Sequence, residues 1–140
     1  MRGIFKTIAL LSIVIFQGCE KDNDIGKDNI SIISVTPSSD LEDGVEYNFI
    51  VEIEYDLATA SSGILMIGFN TDEINKYVMV SEASYIIEKG TGFHTFDVET
   101  IAKDWINAGD YKVYVNLSEN PHPPEWSPLA SDSESLQFRN

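Results

Sequence analysis

One cysteine, Cys19, stands in a chain of 140 residues. No disulfide can close within it, and with that single sulfur committed elsewhere no thiol remains for nucleophilic catalysis or metal binding. Basic side chains are scarce as well: 9 Lys and Arg face 23 Asp and Glu, for a net charge of −14. A phosphate backbone is held through clustered Lys and Arg, so nucleic acid is excluded as a partner. Histidine is limited to His94 and His122, each far from the other and outside any short ligand spacing. Also missing are a Gly-x-Ser-x-Gly elbow, a glycine-rich phosphate loop and a His-Glu-x-x-His pair. No apolar run approaches the ~20 residues that a bilayer core requires. These absences lead us to expect no enzyme, no cofactor and no metal site.

The amino-terminal stretch is the most informative part of what is present. Arg2 and Lys6 precede a run of nine residues, 8–16, that is apolar except for Ser12, and the small residue Gly18 precedes Cys19. That is the order of a secretory signal ending in a lipidation site. The sequence predicts a signal peptide over 1–18, a lipidated flexible tether over 19–29 and one folded domain over 30–140. Removing 1–18 takes away Arg2 and Lys6, which leaves 122 residues with a net charge of −16. A chain of that size buries roughly two-thirds of its extended surface on folding, enough for a core without disulfides. Such acidity suits cations or basic proteins as partners through electrostatic steering, and solubility alone requires it equally.

The stretch around Cys19 resembles the bacterial lipobox, with Phe16 and Gln17 where an aliphatic and a small residue are usual. That variation, together with Cys19-Glu20-Lys21-Asp22-Asn23-Asp24, is similar to the lipoproteins of the Bacteroidota, in which a Lys-then-acidic signal directs export to the outer face of the outer membrane. The resemblance implies that Cys19 carries a diacylglycerol, that Glu20, Lys21 and Asp22 belong to the export signal, and that the membrane is a partner through the lipid. One acyl chain binds only marginally, at about 0.8 kcal/mol per buried methylene, so two chains make the anchor durable. Asp22-Asn23-Asp24-Ile25-Gly26 does not make a calcium loop: Gly26 falls one position early and Ile33 stands where the bidentate glutamate belongs.

From Ile30 the chain reads as short β runs separated by turn residues. Residues 30–35 form the first, ended by Thr36-Pro37. Tyr47, Phe49, Val51, Ile53, Tyr55 and Leu57 alternate with Glu52, Glu54 and Asp56, so one face is apolar and the other acidic. A small-residue loop over 58–63 leads to Ile64-Leu65-Met66-Ile67-Gly68-Phe69, a continuous apolar run expected to lie centrally in its sheet with both faces covered. Strands are predicted at 77–80 and 85–87, then at 93–101 after a turn at 89–92. In the last of these, His94, Phe96 and Val98 compete with Phe93, Thr95 and Ile101 for the core. Helical spacing predicts one short turn over 100–106, with Trp105 on its inner side, stopped by Gly109. Tyr111, Val113, Val115 and Leu117 alternate cleanly, and a last strand is expected at 135–139.

Seven or eight strands without a long helix point to an all-β antiparallel sandwich. Ala108-Gly109-Asp110-Tyr111-Lys112-Val113-Tyr114-Val115 resembles the Gly-x-Tyr segment that begins the penultimate strand of bacterial immunoglobulin-like and adhesion modules. That resemblance implies an Ig-like β-sandwich in which Tyr111 hydrogen-bonds back to the preceding turn.

Candidate binding residues cluster in the loop over 119–128, where four prolines stiffen the backbone around His122, Glu125 and Trp126. A rigid loop presenting an aromatic ring suits a pyranose face or a proline, and the same ring suits capping the open end of a sandwich. His122 and Glu125 form a His-x-x-Glu pair that can touch a metal; a stiffened loop is the plainer reading. Glu52, Glu54 and Asp56 project in parallel from one strand face, which makes a solvated face rather than an acid–base pair or an ion cage. The functional expectation is a non-catalytic surface lipoprotein with a binding or adhesion module for a glycan or a protein partner. The alternative is a small acidic inhibitor or immunity-type lipoprotein acting on a basic hydrolase.

Overall fold

Runs of β-branched and aromatic residues alternating with polar ones place most of this chain in strands. The computed structural model describes residues 26–42, 44–71, 82–101, 111–125 and 127–139. Five strands occur among them: β1 (Asn29–Thr36), β2 (Glu46–Thr71), β3 (Glu82–Ile101), β4 (Tyr111–Glu119) and β5 (Ala130–Leu136). All ladders between them are antiparallel, and no helix occurs among the described residues.

β2 organises the sheet. It pairs with β3 on both sides of residues 58–61, from Glu46↔Ile101 to Leu57↔Gly90 and from Ser62↔Glu88 to Gly68↔Glu82. Along its other edge, the first half pairs with β1 (Asn29↔Asp56 to Thr36↔Ile50) and the second half with β4 (Gly63↔Glu119 to Thr71↔Tyr111). β5 extends the sheet beyond β4. β2 is 26 residues long, and in a straight strand Phe49 and Phe69 would stand about 66 Å apart at ~3.3 Å per residue. Their ring centroids are 4.8 Å apart. β2 therefore folds back on itself, and its two inner faces meet. β3 does the same, since Tyr85 and His94 stack at 4.2 Å.

Both bends have a local cause. The β2–β3 register shifts between Leu57 and Ser62, so residues 58–61 leave the ladder. Ala58, Thr59, Ala60 and Ser61 are small enough to turn the strand without a steric penalty. Opposite them, Gly90 has φ 133°, a conformation that L side chains rarely adopt, which lets β3 swing with its partner. The curled sheet closes at the other end through a parallel bridge between Leu41 and Phe138. Leu41 N–H donates to Gln137 O at 3.1 Å and Arg139 N–H to Leu41 O at 2.8 Å, while the Arg139 guanidinium meets Glu42 at 3.0 Å.

The enclosed core takes every second residue. Phe49, Val51, Ile53, Leu57, Leu65 and Phe69 of β2 are fully buried, as are Val113, Val115 and Leu117 of β4 and the seam residue Leu41. β3 contributes Ile87 before its bend and Phe96 and Val98 after it, so over 92–100 the even-numbered residues face inward and Phe93 faces out. The architecture is all-β and antiparallel, one curled sheet compatible with a β-sandwich.

Several expectations are corrected. Of the expected runs, 47–57 and 64–69 join in β2 and 85–87 and 93–101 join in β3, because 58–63 and 89–92 fold within continuous paired strands; with 77–80 outside the described residues, five strands are seen among those described. The helical turn expected over 100–106 is not seen: Thr100 and Ile101 belong to β3, where pairing with Tyr47 and Glu46 overrides helical spacing, and 102–106 lies outside the described residues. The last strand begins at Ala130 and ends at Leu136, with Phe138 in the closing bridge. Over 64–69 the strand is central as expected, flanked by β3 and β4, but only Leu65, Ile67 and Phe69 are buried; Ile64, Met66 and Gly68 are half-buried. The strand expected at 77–80 and Trp105 lie outside the described residues. Tyr111 is buried against Phe138, ring centroids 5.0 Å apart, and the turn expected to receive its hydrogen bond lies outside the described residues.

Candidate functional site

The bend of β2 gathers the start of β1, the bend of β3, the end of β4 and the start of β5 at one end of the sheet, through the pairs Asn29↔Asp56, Leu57↔Gly90, Gly63↔Glu119 and Leu117↔Ala130. Amides that leave a ladder need other acceptors. Asp28 supplies them: its Oδ1 accepts from Ala58 N–H at 2.8 Å and Thr59 N–H at 3.0 Å, and its Oδ2 accepts from the Thr59 hydroxyl. Burial pushes the Asp28 carboxyl up, but the hydrogen bonds from Thr59 and Ala58 outweigh it and hold the group below its ordinary value. Residues 19–29 are read from sequence as tether, yet Asp28 is bonded into the fold and β1 begins at Asn29.

Beside this clamp lies a cleft of about 400 Å³. Lys27, Asp28 and Asn29 line it from the head of β1, Glu54, Tyr55 and Asp56 from β2, and Thr91 from β3. Tyr55 crosses the strand onto Gly92: a Cβ there would lie 2.5 Å from the Tyr55 Oη, so only glycine leaves room for the ring as it stands. Asn29, Asp56 and Thr91 form one cross-strand row on the outer face, and Glu54 and Phe93 form part of the next. Phe93, 73 % exposed, is the most exposed large apolar side chain among the described residues.

The inner face near the β3 bend holds a second aromatic group. His94 stacks on Tyr85 with 20° between the rings and meets Phe96 edge-on at 4.6 Å. Burial holds the imidazole below its ordinary value. His94 is thus a packing residue of the inner face. At the far end of the hairpin, Glu46 shares a hydrogen bond with Glu99, and this bond together with the repulsion between them holds Glu46 above its ordinary value.

The loop after β4 is fastened at its base. Asn120 N–H donates to Ser62 O at 3.0 Å and the Asn120 side chain to Ser62 Oγ at 2.9 Å, while Leu129 N–H reaches Leu117 O at 2.7 Å. Within the loop His122 and Glu125 are exposed, and His122 Nδ1 donates to Pro123 O at 2.6 Å. Trp126, Cys19, Glu20, Lys21 and Asp22 lie outside the described residues. Among the described residues no group of three His, Cys, Asp or Glu side chains is placed to hold a metal ion. Glu52 accepts from the Ser34 hydroxyl at 2.6 Å, while Glu54 and Asp56 border the cleft.

Sequence reasoning passed over Asp28, Tyr55, Thr91 and Phe93. A signal for Phe93 was present: Thr95, Asp97 and Glu99 share its alternation, and two carboxylates mark that face as outward. Asp28 carried no such signal, because its role depends on a register shift between strands distant in sequence. No protein-family model matches this chain, and no curated protein matches it.

Proposed function

We propose that this chain is a non-catalytic, lipid-anchored binding module of the bacterial outer membrane, with an Ig-like β-sandwich facing the cell exterior. The observation that carries this reading is the signal-like stretch ending at Cys19, followed within nine residues by the first side chain bonded into an all-β domain, Asp28. A fully extended chain of that length reaches only about 30 Å, so the head of β1 and the bend of β2 stand near the membrane. The free ends of the β2–β3 hairpin and the Leu41–Phe138 seam point away from it. Side chains on a rigid sheet beside a cleft suit recognition, since little ordering is required when a ligand arrives.

The test is to express the full-length protein and its Cys19→Ala variant in a bacterium that exports lipoproteins to its surface. The wild type is expected to incorporate labelled fatty acid, partition with membranes and be cleaved by protease added to whole cells. Cys19→Ala is expected to lose the label and the membrane association. Label retained in the variant, or a wild-type protein shielded from protease until cells are lysed, overturns the reading.

A further inference from the structure

We infer that the outer face at the β2 bend is a binding site for a neutral saccharide, with Phe93 as the stacking platform and the adjoining cleft as the pocket for sugar hydroxyls. The inference deepens the binding-module reading and rests on it for biological sense, though not for its chemistry.

Phe93 occupies a position where the strand pattern calls for a polar residue. Its neighbours along β3 on the same face are Thr91 and Thr95, and Glu54 is its cross-strand partner. An isolated exposed ring is unremarkable in itself. Here the ring stands one cross-strand row from the mouth of a cleft of about 400 Å³, within the range of small-ligand pockets. Successive same-face side chains on a strand lie about 7 Å apart and directly paired ones about 5 Å, so a pyranose on the Phe93 face has its edge over Thr91 and Asp56.

The lining selects the class of ligand. It offers donors, in the Thr91 hydroxyl and the Asn29 amide, which also reaches Ser31 Oγ at 3.4 Å, beside acceptors, in the Glu54 and Asp56 carboxylates. A polyanion meets the carboxylates of Asp28, Glu54 and Asp56 against a single Lys27 ammonium, and a polycation is set apart by the charged arms of the experiment below. A neutral polyol uses both kinds of group, because each hydroxyl donates one hydrogen bond and accepts others. Asp28 is already engaged with the β2 bend, so its part is to hold the cleft wall rather than to meet the ligand. Tyr55, which packs against the core and is seated over Gly92, borders the cleft from the inner side of the sheet. The platform stands on paired strands, which fixes the spacing between ring and hydroxyl partners before any ligand arrives.

The experiment uses the mature lipidated protein in a non-glycosidic detergent, run through native gels containing soluble starch, mannan, xyloglucan or laminarin, with heparin, polygalacturonate and polylysine as charged arms. At least one neutral polysaccharide is expected to retard the protein. Phe93→Ala should weaken that retardation about tenfold or more, and Glu54→Gln by about threefold to tenfold, with unchanged melting temperatures because both side chains are exposed. Binding that survives Phe93→Ala, binding only to a charged polymer, or no retardation by any neutral polysaccharide overturns the site. Those outcomes leave the anchored-module reading to be judged by fatty-acid labelling and whole-cell proteolysis. Retardation lost in Trp126→Ala but kept in Phe93→Ala moves the binding to the proline-rich loop and likewise overturns the site.

Discussion

The two halves of β2 present the same kind of surface inward and different surfaces outward. In 46–57 the inner residues Phe49, Val51, Ile53 and Leu57 are fully buried, and in 62–71 so are Leu65, Ile67 and Phe69 to within 2 %. Outward, the first half carries Glu52, Glu54 and Asp56, with the two glutamates exposed, whereas the second carries Ile64, Met66 and Gly68, all half-buried. Ile64 pairs with the buried Ser118 on one side and with Ile86 on the other. One continuous strand therefore passes from a sheet layer that meets water to one whose outer face is partly withdrawn from it. Apolar residues on every second position report one covered face, and a continuous apolar run reports two faces of unequal cover. The candidate binding surface belongs to the first kind of layer, where a polar outer face lets a single aromatic ring stand out.

The largest effect that tests this contrast lies inside. Phe49→Ala removes a fully buried ring in contact with Phe69, and such truncations cost about 3–5 kcal/mol. That is a large share of the roughly 5–15 kcal/mol by which a domain is stable, so a melting curve should show severe destabilisation or loss of the cooperative transition. Glu52→Ala, three residues along on the outer face, should move stability by no more than about 0.5 kcal/mol. Comparable losses in the two variants would break the inside–outside assignment of the first half.

An exchange across the two outer faces gives a smaller effect. Ile64→Glu places a carboxylate beside buried Ser118, at a cost of about 1–3 kcal/mol. Glu54→Ile on the first half should stay within about 0.5 kcal/mol, because its surroundings are already open to water. Urea midpoints would read the difference, and equal shifts would mean that the two outer faces are covered alike. The Ser118 hydroxyl and the Thr100 hydroxyl are both buried without a hydrogen-bond partner among the described residues, so each already lies where a polar group is costly.

The alternation of Tyr47 to Leu57 made the inner and outer faces of the first half legible, since period two with acids on one side admits a single reading. The same holds for Tyr111 to Leu117. The bends were not legible. Small residues over 58–63 and two glycines over 89–92 have the composition of a loop, and only the pairing of β2 with β3 on both sides of the bend shows that the two strands fold over together. β5 was read too late because Ala130-Ser131-Asp132-Ser133-Glu134-Ser135 holds no large apolar residue. Its order comes from β4, and its Asp132 accepts from Ile32 N–H across the seam at 2.8 Å. As for the site, residue types were visible but their neighbours were not: Asn29, Asp56 and Thr91 are far apart in sequence and meet only through register. The loop that drew attention by its prolines places His122 and Glu125 in the open, and nothing about it pointed to the cleft beside Asp28.

The smallest expected effect is a dependence on pH that separates the inner face of β3 from the clamp on β2. His94 is held below its ordinary value by burial, so the folded protein refuses a proton that the unfolded chain accepts. Its contribution to stability is complete above the ordinary histidine value of about 6.5, declines as pH falls below it, and levels off beneath the lowered folded value. Asp28 is also held below its ordinary value, so the stability it contributes is present above the ordinary aspartate value of about 3.9 and is lost as pH falls through the folded value. Glu46 has the opposite sign: raised by Glu99, it favours the fold at low pH, and that contribution disappears as pH rises through the folded value. Melting temperatures followed from pH 8 to pH 3 should therefore fall in two stages, the first from His94 and the second from Asp28 with Glu46 opposing it. His94→Gln should flatten the first stage and leave the second, while Asp28→Asn should lower the whole curve and flatten only the second. A first stage that persists in His94→Gln would mean that another group titrates on folding and that the Tyr85–His94–Phe96 stack does not hold its imidazole neutral.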